Sequence, residues 1–246
     1  MKSTLPRRLT AETLGTALLL ATVIGSGIMA ERLAAGNTAI ALLANTIATG
    51  AALIALILTF GPISGAHFNP AVTLADATLR GLPWREVPAY LAAQLTGAFL
   101  GAALANTMFG LPIFFASTHT RTGPAQWLSE FIATFGLLSV IWGVTRPRPG
   151  KAVISPLTVP IAVGTYITAA YWFTASTSFA NPAVTLARSA SNTFAGIRPT
   201  DTPAFIAAQL AGALAATALF RWLYPTLPLT AKDILLPHPT VNVPDR

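Results

Sequence analysis

The chain has no cysteine, few charges and few titratable residues of any kind. The missing cysteine removes disulfide scaffolds and thiolate metal sites. Charged residues make up only 9% of the chain, against about 25% in a typical soluble domain, so a water-exposed surface cannot be built over most of it. Disorder is excluded by the same shortage, because disordered chains are rich in charge. His67, His119 and His238 are scattered without metal-ligand spacing, and no cofactor motif is present. What the sequence does have is apolar length: 53% of its 246 residues are hydrophobic and the mean hydropathy is +0.62. The net charge of +7 comes from 15 Lys+Arg against 8 Asp+Glu. In a membrane chain such basic residues mark cytoplasmic loops rather than a nucleic-acid surface.

The charges fall in clusters, and the gaps between clusters measure a bilayer. Glu12 to Glu31 encloses 18 uncharged residues, Arg32 to Asp76 encloses 43, and Glu86 to Arg121 encloses 34. Lys151 to Arg188 encloses 36 and Asp201 to Arg221 encloses 19. A spanning helix needs about 20 mostly apolar residues, which predicts six spans near 11–30, 38–60, 86–107, 126–145, 152–173 and 202–223. Turn signals separate them, among them Gly36-Asn37, Gly61-Pro62 and Gly81-Leu82-Pro83. The first apolar run is longer than a secretory signal core and five more spans follow it, so it is read as a retained span. Lys2, Arg7 and Arg8 fall on the same side as Arg80, Arg85, Arg146, Arg148, Lys151, Lys232 and Arg246, facing only Arg32, Arg121, Arg188 and Arg198. The positive-inside rule then puts both termini in the cytoplasm.

The chain also repeats itself. Ser64-Gly65-Ala66-His67-Phe68-Asn69-Pro70-Ala71-Val72-Thr73-Leu74-Ala75 matches Ser176-Thr177-Ser178-Phe179-Ala180-Asn181-Pro182-Ala183-Val184-Thr185-Leu186-Ala187. Tyr90-Leu91-Ala92-Ala93-Gln94-Leu95-Thr96-Gly97-Ala98 is echoed by Phe205-Ile206-Ala207-Ala208-Gln209-Leu210-Ala211-Gly212-Ala213, and Ala11-Glu12 more loosely by Ser129-Glu130. Each copy holds an odd number of spans, so the second lies upside down in the membrane, an arrangement common in transport proteins with a solute site near the midplane. The expected organisation is a cytoplasmic N-terminus at 1–10, half-repeats at 11–107 and 126–223, an extracytoplasmic connection at 108–125 and a Pro-rich cytoplasmic tail at 224–246.

Each repeated Asn-Pro-Ala opens a helix too short to cross. Asn is a favoured N-cap and Pro fits the first helical position, having no N–H to satisfy. The helical pattern runs from Pro70 to about Leu79 and from Pro182 to about Ser191; ten residues rise about 15 Å, half the hydrocarbon thickness. Irregular backbone at that depth survives only where it is buried in protein or lines water. Segments 64–68 and 176–180 should therefore enter from opposite faces and meet at mid-membrane, with Asn69 and Asn181 turning amide N–H groups toward a pore and the loop carbonyls forming a ladder of acceptors.

Two Asn-Pro-Ala boxes on inverted three-span halves, with Ser-Gly-Ala-His-Phe before the first and a Glu in spans one and four, resemble the aquaporin (major intrinsic protein) superfamily over roughly residues 10–223. The resemblance implies an all-α membrane protein of six tilted transmembrane helices plus two re-entrant half-helices. It also implies one pore per protomer, a homotetramer in the lipid bilayer, and passive flux of water and small uncharged solutes. It further assigns a pore site at Asn69, Pro70, Ala71, Asn181, Pro182 and Ala183. Its selectivity filter corresponds to Thr49, to Tyr171 or Ala169, to Ser178, and to Val184, where the family usually has Arg. Loss of that Arg, with a small residue at 49, implies a widened neck that admits polyols, urea-like solutes or neutral metalloid hydroxides. Arg188, one turn beyond Val184, is a candidate to replace part of the missing charge, although its Cβ points about 40° away and outward at 100° per residue.

Glu12 and Glu130 read either as acceptors for N–H groups of the re-entrant loops, as the resemblance implies, or as helix-start acids favoured by the dipole. His67 either lines the cytoplasmic vestibule or is a satisfied structural histidine. Asp76 and Arg80, four residues apart, should pair at the cytoplasmic mouth. Gly97-xxx-Gly101 and Gly212-xxx-Ala216 are small-residue stripes for close helix crossing. An ion-coupled transporter would need an ionisable group facing the centre, and none is evident beside either Asn box. An intramembrane enzyme would need a base paired with Ser64, and none lies at matching depth.

Overall fold

A computed structural model describes residues 3–145 and 155–227. Among these, eight α-helices form: α1 (Leu5–Leu33), α2 (Thr38–Ser64), α3 (Pro70–Thr78), α4 (Val87–Met108), α5 (Pro124–Val144), α6 (Thr158–Phe173), α7 (Pro182–Arg188) and α8 (Thr202–Leu223). α3 and α7 are the half-helices, and the other six are the spans. α1, α2, α4, α5 and α8 are long and apolar enough to cross a membrane; α6 has 16 residues, a rise of about 24 Å. The charged segment 146–154, the start expected for the fifth span at 152, and the tail from 228 with Lys232, His238 and Arg246 lie outside the described residues.

Several element ends differ from the sequence expectation for local reasons. α1 starts at Leu5, six residues early, because Pro6 fits the first turn and the Arg8 guanidinium, 2.7 Å from the Glu86 carboxylate, ties this extension to the start of α4. Gly61-Pro62 does not end the second span. α2 continues through Pro62 to Ser64 and stops at Gly65, whose left-handed φ of 90° lets its N–H reach back to the Gly61 carbonyl. Proline near a helix end removes only one ladder bond, so the true stop is the glycine that can turn left-handed. α7 ends at Arg188 rather than near Ser191. The carbonyls of Ser189 and Ala190 accept instead from the N–H groups of Ser117 and Phe115, which draws the chain off the helical path.

The helices pair as an inverted duplication demands. α1 packs along α4, as α5 packs along α8; α1 meets α2 as α5 meets α6; and α2 crosses α6 between the halves. The tight crossings use the small-residue stripes. A Cβ on Gly97 would overlap the Thr13 carbonyl, one on Gly101 the Ala17 carbonyl, and one on Gly212 the Phe131 carbonyl. Each half-helix touches the other half as well as its own: α3 lies against α4 and α8, α7 against α8 and α4, and α3 against α7. Large apolar side chains such as Leu14, Leu43, Leu104, Leu128 and Leu214 face outward, each at least 47% exposed, as a lipid-facing perimeter requires. The chain is thus an all-helical, multi-pass membrane protein with its half-helices enclosed.

Candidate functional site

Both half-helices start by the same local chemistry. Asn69, in extended conformation at φ −154°, accepts the Ala71 N–H through its side-chain oxygen, and Pro70 follows in the first turn. Asn181, at φ −159°, accepts from Ala183 and Val184 ahead of the same proline arrangement. The two starts are tied to each other across the middle of the protein. Asn69 Nδ2 donates to the Ala180 carbonyl at 2.7 Å, and Asn181 Nδ2 donates to the Phe68 carbonyl at 2.8 Å. An amide carries two N–H groups, so one of each Asn is spent on this exchange and one remains. Pro70, Ala71, Pro182 and Ala183 are buried behind the two Asn residues.

The segments before each Asn are strained in matching places. Gly65, Ala66 and Phe68 have φ of 90°, 49° and 48°, and Thr177, Ser178 and Ala180 have 60°, 49° and 49°. Left-handed conformation at a non-glycine residue costs about 1–2 kcal/mol, so something must hold these loops open. Two buried carboxylates do. Glu12 Oε1 accepts from His67 N at 3.0 Å and from the Ser64 hydroxyl at 2.7 Å; its Oε2 accepts from Phe68 N and Gln94 Nε2, both at 2.8 Å. Glu130 accepts from Phe179 N and Ala180 N, both at 2.9 Å, and from Gln209 Nε2 at 2.6 Å. Both carboxylates are 0% exposed, and neither is a helix-start acid, since α1 starts at Leu5 and α5 at Pro124, each with no acidic residue in its first turn. Gln94 and Gln209 each donate also to a threonine hydroxyl of the adjacent half-helix, Thr73 and Thr185, at 2.8 Å. These four residues were not singled out from the sequence, although all stand inside the repeated strings.

Between the loops and the long helices runs a cavity with about 80 Å³ open to water centres, several times the ~10–15 Å³ that one water requires. Asn69 and Asn181 line it, as do His67, Thr49, Tyr171, Ser178 and Val184, with an apolar wall from Leu19, Val23, Leu137 and Ile141 opposite. Tyr171 and Thr49 adjoin, the phenol 3.4 Å from the threonine hydroxyl. Ala169 is exposed on the outer side of α6 and does not line the cavity. The loop carbonyls are not all free acceptors: Ser64 O takes the Tyr90 hydroxyl and Ser176 O takes Arg121, while Phe68 O and Ala180 O take the Asn amides. The carbonyls of residues 65–67 and 177–179 have no hydrogen-bond donor among the described residues.

Three expectations about charged and titratable groups change. Asp76 does not pair with Arg80, because α3 ends at Thr78 and Arg80 turns left-handed at φ 66° into an exposed position. Asp76 is buried instead under Gly81, its carboxylate 3.8 Å from His67 Nε2. His67 lines the cavity with its Nδ1 hydrogen-bonded to Thr73 at 3.0 Å, but its buried Nε2 has no hydrogen-bond partner among the described residues, so it is not a satisfied structural histidine. Arg188 does not face outward: it is 2% exposed and lines the cavity, its guanidinium carbon 3.3 Å from the Phe179 ring centroid. The connecting segment adds a residue the sequence did not mark. Arg121 donates to Gly196 O at 2.8 Å and to Ser176 O at 3.1 Å, its backbone N–H binds Asp201, and its guanidinium also lies over Phe179. Burial lowers the Arg121 guanidinium below the ordinary arginine value, with Glu130 and Tyr171 acting against that fall.

Paired half-helices tied tip to tip inside a ring of spanning helices define an inverted-repeat membrane protein with a central cavity lined by both Asn residues. Comparison with known proteins narrows the class. The profile of the Major intrinsic protein family matches residues 1–180 and 156–245. The chain is 58% identical over 220 residues to Aquaglyceroporin AqpS of Rhizobium meliloti (strain 1021), covering 89% of this chain and 91% of that protein. It is 36% identical over 197 residues to Aquaporin NIP2-2 of Zea mays, covering 78% of this chain and 65% of that protein. The X-ray structure of the aquaglyceroporin from Plasmodium falciparum superposes with a TM-score of 0.68 at 21% identity, covering 92% of this chain and all of the other. The chain belongs to the major intrinsic protein family.

Proposed function

We propose that this protein is a passive channel for water and small uncharged polar solutes of the glycerol, urea or neutral metalloid-hydroxide type. The observation that carries the reading is the exchange of hydrogen bonds between Asn69 and Asn181 beside a cavity lined by both. Each Asn retains one N–H for a passing oxygen, and the unpartnered loop carbonyls accept from its hydroxyls. Together they offset part of a desolvation cost of several kcal/mol. Positive half-helix ends converging on this point oppose cations and orient successive waters. The name of the Rhizobium relative, an aquaglyceroporin, supports solutes larger than water. The matched family gives no corresponding support to an ion-coupled transporter.

In this reading Thr49, Tyr171, Ser178 and Val184 form the outer neck, His67 lines the cytoplasmic vestibule, and Glu12 and Glu130 hold the loops. The half-repeats at 11–107 and 126–223 face opposite leaflets, with 1–10 and 224–246 in the cytoplasm and 108–125 outside. The protein works as a homotetramer in the cell membrane, one pore per protomer. Stopped-flow light scattering on reconstituted vesicles, with solutes of graded size, tests it: water and glycerol flux should exceed that of empty vesicles. Val184→Arg should lower glycerol flux about tenfold or more while water flux persists; unchanged glycerol flux would mean that position 184 does not set the neck.

A further inference from the structure

The two half-helices differ at a matched pair of places. His67 stands two residues before Asn69, where the second half has Phe179, and Asp76 stands seven residues after it, where the second half has Arg188. The two places meet: His67 Nε2 lies 3.8 Å from Asp76 Oδ2, both side chains 0% exposed. Neither Nε2 nor either Asp76 oxygen completes a hydrogen bond among the described residues; the Leu82 N–H only approaches the carboxylate. Buried polar atoms are rarely left so, and a buried carboxylate without a bonded partner is destabilising. Gly81 leaves room for it, since a Cβ there would overlap Oδ1. The Asn exchange and the glutamate anchors make no use of this carboxylate.

The proton positions show what Asp76 faces. Gln94 Nε2 donates to Thr73 Oγ1 at 2.8 Å, which leaves the Thr73 hydroxyl proton for His67 Nδ1, 3.0 Å away. In the second half, with no imidazole to serve, Thr185 gives its proton to the Asn181 carbonyl. With Nδ1 accepting, the neutral ring carries its proton on Nε2, and that N–H faces Asp76. The other tautomer would set a bare nitrogen against a carboxylate. At 3.8 Å the contact is an N–H dipole beside a charge rather than a completed hydrogen bond. His67 lines the cavity, yet its side chain is 0% exposed, so its backbone and not its imidazole borders the open space. Asp76 does not line the cavity, and any effect it has on a solute passes through that ring.

We propose that Asp76 is a positioning residue for solute passage: with Thr73 it keeps the His67 imidazole stowed against α3, out of the vestibule, so that solutes larger than water pass. The proposal rests on the channel reading above. Tyr90 backs the stowed ring from α4, the centroids 5.5 Å apart. The His67 backbone is fixed separately by Glu12, so removing Asp76 frees the ring and leaves the loop.

Glycerol and water flux into reconstituted vesicles, read by stopped-flow scattering, test this. Asp76→Leu keeps much of the shape and removes both oxygens. It should lower glycerol flux about threefold or more while water flux falls less, with the melting temperature in detergent unchanged or raised. Asp76→Asn, which restores an acceptor oxygen, should keep glycerol flux within about twofold of wild type. In a His67→Phe background, which copies the second half, adding Asp76→Leu should change glycerol flux by less than about 1.5-fold, because no imidazole remains to be placed. An Asp76→Leu channel with wild-type glycerol flux overturns the proposal. So does an Asp76→Asn channel as impaired as Asp76→Leu, or an Asp76→Leu loss equally large in the His67→Phe background. Should Asp76→Leu fail to assemble, Gly81→Ala, which crowds the carboxylate from its place, must lower glycerol flux in the wild-type background and not in His67→Phe, or the proposal fails. Wild-type vesicles with neither water nor glycerol flux above empty ones would sink the channel reading itself, and this proposal with it.

Discussion

Single side chains here do work that their neighbours in sequence cannot reveal. Glu130 holds two consecutive loop N–H groups and Gln209 with its two oxygens. Glu130→Gln keeps one acceptor and turns an NH₂ toward a donor, so at least one buried N–H loses its partner at a cost of about 1–3 kcal/mol. The expected result is a lower melting temperature in detergent, together with reduced water flux as the loop relaxes from its left-handed residues. An unchanged melting curve would show that the loop stands without the carboxylate. Glu12→Gln should behave alike, since Glu12 accepts four bonds in the equivalent place. The Glu–loop bonds span at least 49 residues of sequence, which is why the glutamines that complete them could be read as repeated letters but not as partners. Arg188 was misread for a different reason. A helical wheel gives the direction of Cβ, but a long side chain can bend back across its own helix surface when an aromatic ring and a carbonyl receive it. The expected Asp76–Arg80 pair failed because four-residue spacing brings side chains together only while the backbone remains helical.

At the scale of elements, the inverted duplication and both half-helix starts were legible because Asn-Pro carries its own capping chemistry. The ends were less so. α2 runs past Pro62 and α7 stops at Arg188, each decided by a later residue or by a distant segment, 115–117, competing for carbonyls. The small-residue stripes were legible as crossings, and their partners now make them testable. Gly97 and Gly212 face backbone carbonyls of α1 and α5, which cannot rotate away as a side chain can. Gly212→Ala should therefore destabilise the α5–α8 pair by about 1–3 kcal/mol, and Gly212→Leu should prevent recovery of monodisperse protein from detergent. Gly110→Ala adds the same methyl in open space, since a Cβ there meets nothing within 4 Å. Its left-handed φ of 70° adds a backbone cost, yet that loop change should leave α4 packed on α1.

For the molecule as a whole, the decisive feature is that the centre is fastened. An alternating-access carrier works by rocking one half against the other about a midplane site, so contacts across that site must break in every cycle. Here the halves exchange two buried hydrogen bonds between the half-helix starts, each half-helix is packed against the opposite half, and α2 crosses α6 between them. Each loop tip is in turn anchored to a glutamate of its own half. Two bonds of about 1 kcal/mol net would not forbid rocking alone, but opening the centre would also strip the partners from buried amides and carbonyls of the two strained loops, each costing about 1–3 kcal/mol while unpaired. The protein should therefore conduct without alternating. Solute flux into vesicles should rise linearly with the imposed gradient, in either direction, and should not change when ionophores collapse proton or sodium gradients. Saturation at millimolar solute together with loss of flux on collapsing an ion gradient would mean that the centre opens after all, and that the Asn–carbonyl exchange seen here is one state of a moving gate.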